Sequence, residues 1–97
     1  RRRRVDTMIV QKTLTIKNQL GLHARSAAMI VRALEGCRSQ VSLERDGVRV
    51  DARSLLDILT LGCPKDSRIV VRADGEDARE AVESIERLVD SRFGEDA

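Results

Sequence analysis

The residues best suited to chemistry in this chain are Gly21, Leu22, His23, Ala24 and Arg25, which include its single histidine. They follow a run that reads as a strand and open a run that reads as a helix. An imidazole at a helix start meets backbone N–H groups that lack intrahelical partners, together with the positive end of the helix dipole. Such a position favours anions, phosphate above all. The dipole also disfavours an imidazolium there, so the ring keeps a lone pair available for attack. Once the ring carries a phosphoryl group, the amides of Ala24 and Arg25 can hold its oxygens and the Arg25 guanidinium can make a charge-assisted contact. The competing reading is plain: a lone polar residue at a strand-to-helix corner is usually a cap or a surface group.

The elements that must hold this corner are legible from periodicity. Residues 9–16 alternate, with Val10, Leu14 and Ile16 on one face and Thr13 and Thr15 on the other, which predicts a half-buried strand interrupted by Lys12. Residues 18–21 form the turn into the histidine. Over residues 24–35, Ala27, Ile30, Val31 and Leu34 recur at helical spacing, and Gly36 stops the helix.

Val41 and Leu43, then Val48 and Val50, alternate on either side of Asp46-Gly47, a two-residue hairpin signal. Residues 54–61 read as a short helix with Leu55, Ile58 and Leu59 at helical spacing, Ser54 as cap and Gly62 as stop. Residues 68–73 give a further strand with Ile69, Val71 and Ala73 on one face, after which Asp74-Gly75 turns the chain. Ala78, Ala81, Val82, Ile85, Leu88 and Val89 make a closing amphipathic helix over residues 77 to about 92. The order β-α-β-β-α-β-α argues an α+β fold with helices on one face of an antiparallel sheet.

Ninety-seven residues, 41% of them apolar, make one small domain whose core must be aliphatic, since Phe93 is the only aromatic. No apolar run is long enough to span a bilayer and nothing resembles a secretory signal, so the cytoplasm is the default compartment and no membrane insertion is expected. Cys37 and Cys63 lack the spacing of a zinc or redox motif and read as free, partly buried thiols. One histidine and two separated cysteines form no metal ligand set, and nothing suggests a bound cofactor.

The net charge of +2 belongs to residues 1–7, which carry four arginines and one aspartate and leave the remainder at −1. Without interleaved aromatics the arginine run reads as a solvated tail, not a nucleic-acid site. Met8 resembles an initiator, so residues 1–7 are expected to be a basic, disordered leader or an appended remnant, and residues 8–97 the domain.

Two segments carry a resemblance to a known family. Gly21-Leu22-His23-Ala24-Arg25 resembles the active-site segment of HPr, the histidine-containing phosphocarrier of the bacterial phosphotransferase system. Residues 50–62, beginning Val50-Asp51-Ala52-Arg53-Ser54, resemble the HPr regulatory region, and the likeness extends over about residues 8–92. The resemblance implies an open-faced β-sandwich, a four-stranded antiparallel sheet with three helices on one face. It also implies a relay that is not itself an enzyme: His23 accepts a phosphoryl group at Nδ1 from phosphorylated Enzyme I, whose donor is phosphoenolpyruvate, and passes it to a histidine on Enzyme IIA, while Arg25 neutralises charge in transit.

By the same resemblance Ser54 falls on the serine phosphorylated by HPr serine kinase/phosphorylase, and Ala24, Arg25, Ala28, Leu55, Leu56 and Leu59 fall on the partner-docking surface. Read from the residues alone, Ser54 is equally an ordinary N-cap. Leu56 is a candidate exposed contact because a short helix cannot bury every apolar side. Ser26 stands where the family commonly has proline, and its hydroxyl either binds phosphate or caps the turn. A monomer is the default for a transient carrier. The alternative function is a regulatory module, in which phosphorylation at His23 or Ser54 alters binding to a kinase, a transcription factor or a nitrogen-control partner.

Overall fold

A computed structural model describes residues 8–95; the basic leader expected over residues 1–7 lies outside them. Four strands and three helices follow the order expected from periodicity: β1 (Met8–Thr15), α1 (Ala24–Ala33), β2 (Gln40–Arg45), β3 (Val48–Asp51), α2 (Leu55–Thr60), β4 (Arg68–Gly75) and α3 (Ala78–Asp90). The strands form one antiparallel sheet in the order β1-β4-β2-β3.

Alternation sorts the two faces of this sheet. Leu14, Val41, Leu43, Ile69, Val71 and Ala73 point inward and are buried, while Thr13, Thr15, Gln40 and Arg68 point to solvent. The helices cover the inward face with Ala27 and Ile30 of α1, Ile58 of α2, and Ala78, Ala81, Val82, Ile85 and Val89 of α3. Lys12, which interrupts the apolar face of β1, resolves its charge on Glu86 of α3 at 2.6 Å. Asp46 and Gly47 both take positive φ, 51° and 83°, as the primed hairpin turn between β2 and β3 requires.

The structure departs from expectation at the C-terminal ends of β4 and of α3. Asp74-Gly75 does not turn the chain; both residues continue the central strand, where Asp74 pairs with Ile9 and Gln40 and Gly75 pairs with Met8. Glycine is needed at 75 because the neighbouring chain is so close that a Cβ would lie 2.5 Å from Ser39 Oγ. Nor does α3 reach Arg92. It ends at Asp90, and Arg92, Phe93 and Gly94 follow in left-handed conformation with φ of 55°, 53° and 77°, as a short 3-10 turn. Two successive non-glycine residues in that region carry strain, offset by burying Phe93 completely in the aliphatic core.

Asp77 caps α3 without a side-chain bond to that helix. Its carboxylate instead accepts the N–H of Arg38 and of Ser39 (both 2.9 Å) and the Ser39 hydroxyl, with the Cys37 thiol at 3.4 Å, fastening the α1–β2 connection. The Ser39 hydroxyl, then the Arg38 amide, hold this carboxyl well below its ordinary range. Both cysteines are free thiols; burial pushes the Cys63 thiol up.

Candidate functional site

The corner between β1 and α1 is locked from three directions. Asn18, fully buried, donates through Nδ2 to the Gly21 carbonyl at 2.8 Å. Gly21 sits at φ 69°, pressed on the Cys63–Pro64 backbone, where a Cβ would meet the Cys63 carbonyl oxygen and lie 2.8 Å from Pro64 Cα. No L side chain suits that combination of φ and space. Leu22 then donates its N–H to the Cys63 carbonyl at 2.8 Å. The chain enters α1 on a fixed trajectory.

His23 is the N-cap of α1, extended at φ −131° and ψ −174°. Its carbonyl accepts the Ala27 N–H at 2.8 Å, the first helical bond. Ser26 completes a reciprocal cap: its Oγ accepts the His23 N–H at 2.9 Å and donates to the Gly21 carbonyl at 3.0 Å. Ser26 is fully buried. Of the two roles open to this hydroxyl, the structure gives it the cap.

The imidazole is held at both nitrogens. Nδ1 accepts the Arg25 backbone N–H at 3.3 Å, and Nε2 lies 3.0 Å from Glu95 Oε2. An amide donor facing one nitrogen and a carboxylate facing the other assign the proton to Nε2 and the lone pair to Nδ1. The ring is 31% exposed, and a single 3.3 Å bond engages the Nδ1 lone pair. The Arg25 amide is therefore engaged with the ring, not free as expected.

Glu95 is the partner that sequence reasoning missed. Its Oε2 also accepts Asn18 Nδ2 at 2.9 Å and its Oε1 faces the Leu20 N–H at 3.4 Å. The hydrogen bond from His23, then those from Asn18 and Leu20, hold its carboxyl below the ordinary range against the opposing effect of burial. Asn18 spends both amide hydrogens on this site, and its buried Oδ1 has no partner among the described residues. Glu95 lies 72 residues from His23. Only the 3-10 turn that buries Phe93 brings them together, and no local pattern signals that turn.

The Arg25 side chain is exposed, and its Nη1 donates to the Phe93 carbonyl at 3.2 Å. Ala24 is exposed and Ala28 half-buried on α1; on α2, Leu56 is 74% exposed, Leu55 is 37% exposed and Leu59 is half-buried against the core. Leu20, in the turn before His23, is a further exposed apolar side chain at 66%. Its signal was an apolar residue inside a turn.

Ser54 caps α2, its Oγ accepting the Asp57 N–H at 3.2 Å, and shares no hydrogen bond with the His23 cluster among the described residues. The preceding Arg53 spends its guanidinium on the carbonyls of Leu34, Cys37 and Ser39 at the end of α1. Among the described residues no three His, Cys, Asp or Glu side chains converge as a metal would require, and no helix is long and apolar enough to cross a membrane.

Comparison with known proteins bears directly on this geometry. Residues 10–91 match the family described as PTS HPr component phosphorylation site. The chain is 37% identical over 87 residues to the phosphocarrier protein HPr of Cupriavidus necator, covering 90% of this chain and 98% of that protein. It is 36% identical over 86 residues to a multiphosphoryl transfer protein of Haemophilus influenzae, covering 86% of this chain and 17% of that longer protein. The crystal structure of an HPr from Thermoanaerobacter tengcongensis superimposes with a TM-score of 0.87 at 36% identity, covering 91% of this chain and 99% of the other.

Proposed function

The chain belongs to the HPr phosphocarrier family of the phosphotransferase system, and from that premise we propose that His23 accepts a phosphoryl group at Nδ1 from phosphorylated Enzyme I, charged by phosphoenolpyruvate, and passes it to a histidine of Enzyme IIA. The observation that carries this reading is the divided imidazole. Nδ1 turns its lone pair to the N-terminus of α1, where one long amide bond is all that engages it, while Nε2 keeps its hydrogen on Glu95.

The chemistry then follows from the chain's own groups. As the Nδ1 lone pair forms the bond to phosphorus, the Arg25 amide loses its acceptor and becomes available to a phosphoryl oxygen beside the Ala24 amide. The N-terminal amides and dipole stabilise that charge by about 1 to 2 kcal/mol. The Arg25 guanidinium, held by one carbonyl of the nearby turn, is within the same corner and can exchange that bond for the stronger one to phosphate. Ala24, Ala28, Leu20, Leu55, Leu56 and Leu59 form the surface that receives both partners in turn, small enough for rapid release.

A second reading concerns Ser54, whose half-buried hydroxyl caps α2. Phosphorylation there by an HPr serine kinase/phosphorylase places charge beside the docking leucines of the same helix and regulates partner binding with little change to the backbone.

The experiment is intact-mass spectrometry after incubation with Enzyme I and phosphoenolpyruvate, beside His23→Ala. One acid-labile phosphoryl group, absent from the variant, is the expected result. An unmodified chain, under conditions that charge a control carrier, would overturn the proposal.

A further inference from the structure

We propose that Glu95 is a positioning residue for phosphoryl transfer: its carboxylate keeps the proton on His23 Nε2 through both half-reactions, so the ring gives and takes the phosphoryl group without any proton moving. The inference rests on the phosphocarrier reading and adds a residue to it. Three features of the site carry it. Glu95 Oε2 lies 3.0 Å from Nε2, its side chain is 12% exposed, and Asn18 and Leu20 hold its two oxygens so that it cannot easily rotate away.

In the first half-reaction the Nδ1 lone pair forms the P–N bond as the donor's bond to phosphorus breaks and its electron pair returns to the donor. Nε2 keeps its hydrogen, so the ring acquires one positive charge, facing the Glu95 carboxylate. In the second, the P–Nδ1 pair returns to Nδ1 as the acceptor attacks, and the leaving group is a neutral imidazole with its hydrogen still on Nε2. A ring that had lost that hydrogen would have to leave as imidazolate, a much poorer leaving group. Holding the proton therefore accelerates release in particular, and the nearby Arg25 guanidinium does not replace it, because a cation disfavours the charged ring.

The carboxylate is anchored by more than the ring. One amide hydrogen of Asn18 goes to Glu95 and the other to the Gly21 carbonyl, its Oδ1 having no partner among the described residues, and the 3-10 turn that buries Phe93 through two left-handed non-glycine residues carries Glu95 to the same corner.

The test compares wild type, Glu95→Gln and Glu95→Ala, each phosphorylated with Enzyme I and phosphoenolpyruvate. Transfer to an Enzyme IIA domain is followed in single turnover, with nitrogen-edited NMR of the ring. Expected is a hydrogen-bonded Nε2–H resonance in the phosphorylated wild type that Glu95→Ala loses. Transfer out of both variants slows about fivefold, the effect of one partly exposed charge, with Glu95→Gln, which preserves the shape, ruling out misfolding. Equal transfer rates in all three proteins, or a persistent Nε2–H resonance in Glu95→Ala, would overturn the inference alone. Failure of wild type to take up phosphate would overturn the carrier reading and this step with it.

Discussion

Ser26 Oγ accepts the backbone N–H of His23 at 2.9 Å while its own hydrogen reaches the Gly21 carbonyl at 3.0 Å, so one buried hydroxyl ties the residue before the helix to the turn that leads into it. Ser26→Ala leaves the His23 N–H without that acceptor but preserves the Asn18 bond to Gly21. It is expected to cost about 1 kcal/mol of stability, a fall of about 4 to 8 °C in Tm for a domain of this size. Phosphoryl acceptance at His23 should survive, since neither ring nitrogen is bonded to Ser26. Calorimetry and the intact-mass assay, run on one preparation, check both halves.

Asp77 makes stability pH-dependent. Its folded carboxyl lies below the unfolded value because the Ser39 hydroxyl and the Arg38 and Ser39 amides bond only the ionised form well. A depressed folded pKa contributes stability that is complete above the unfolded value, about 3.9, and is lost as pH falls below it. Denaturant titrations from pH 6 downward should show wild type losing stability more steeply than Asp77→Asn below about pH 4. Parallel curves for the two proteins would contradict this.

Leu56 separates binding from folding. At 74% exposed it contributes little to the core, so Leu56→Asp should change stability by no more than about 0.5 kcal/mol. On the proposed docking surface, the same change raises the KM of Enzyme I for the carrier with kcat nearly unaffected. A steady-state series in which the unphosphorylated carrier is varied against Enzyme I measures that split.

Much of this was readable in the chain because it is local. The apolar spacing of α1 and α3, the Asp46-Gly47 turn and the Ser54 cap depend on neighbours a few residues away, and each stands where the pattern put it. What escaped depends on distant chain. Asp74-Gly75 carries turn chemistry, yet pairing on both sides of β4 keeps it extended. Phe93 falls in the register of a continuing helix, yet the core draws it out of α3 and thereby carries Glu95 to His23. His23 stood out in its motif; the carboxylate that faces its second nitrogen was visible only in three dimensions.

The strand order has a kinetic consequence. Among the described residues the one strand neighbour of β1 is β4, so Thr15 finds its partner only when Arg68 arrives. Until then the first strand is an open edge, and the hairpin of β2 and β3 can form without it. Closing so long a loop costs chain entropy before any contact rewards it. The contact between His23 and Glu95 spans 72 residues in the same way, so the surroundings of the ring depend on the two ends of the described chain having met.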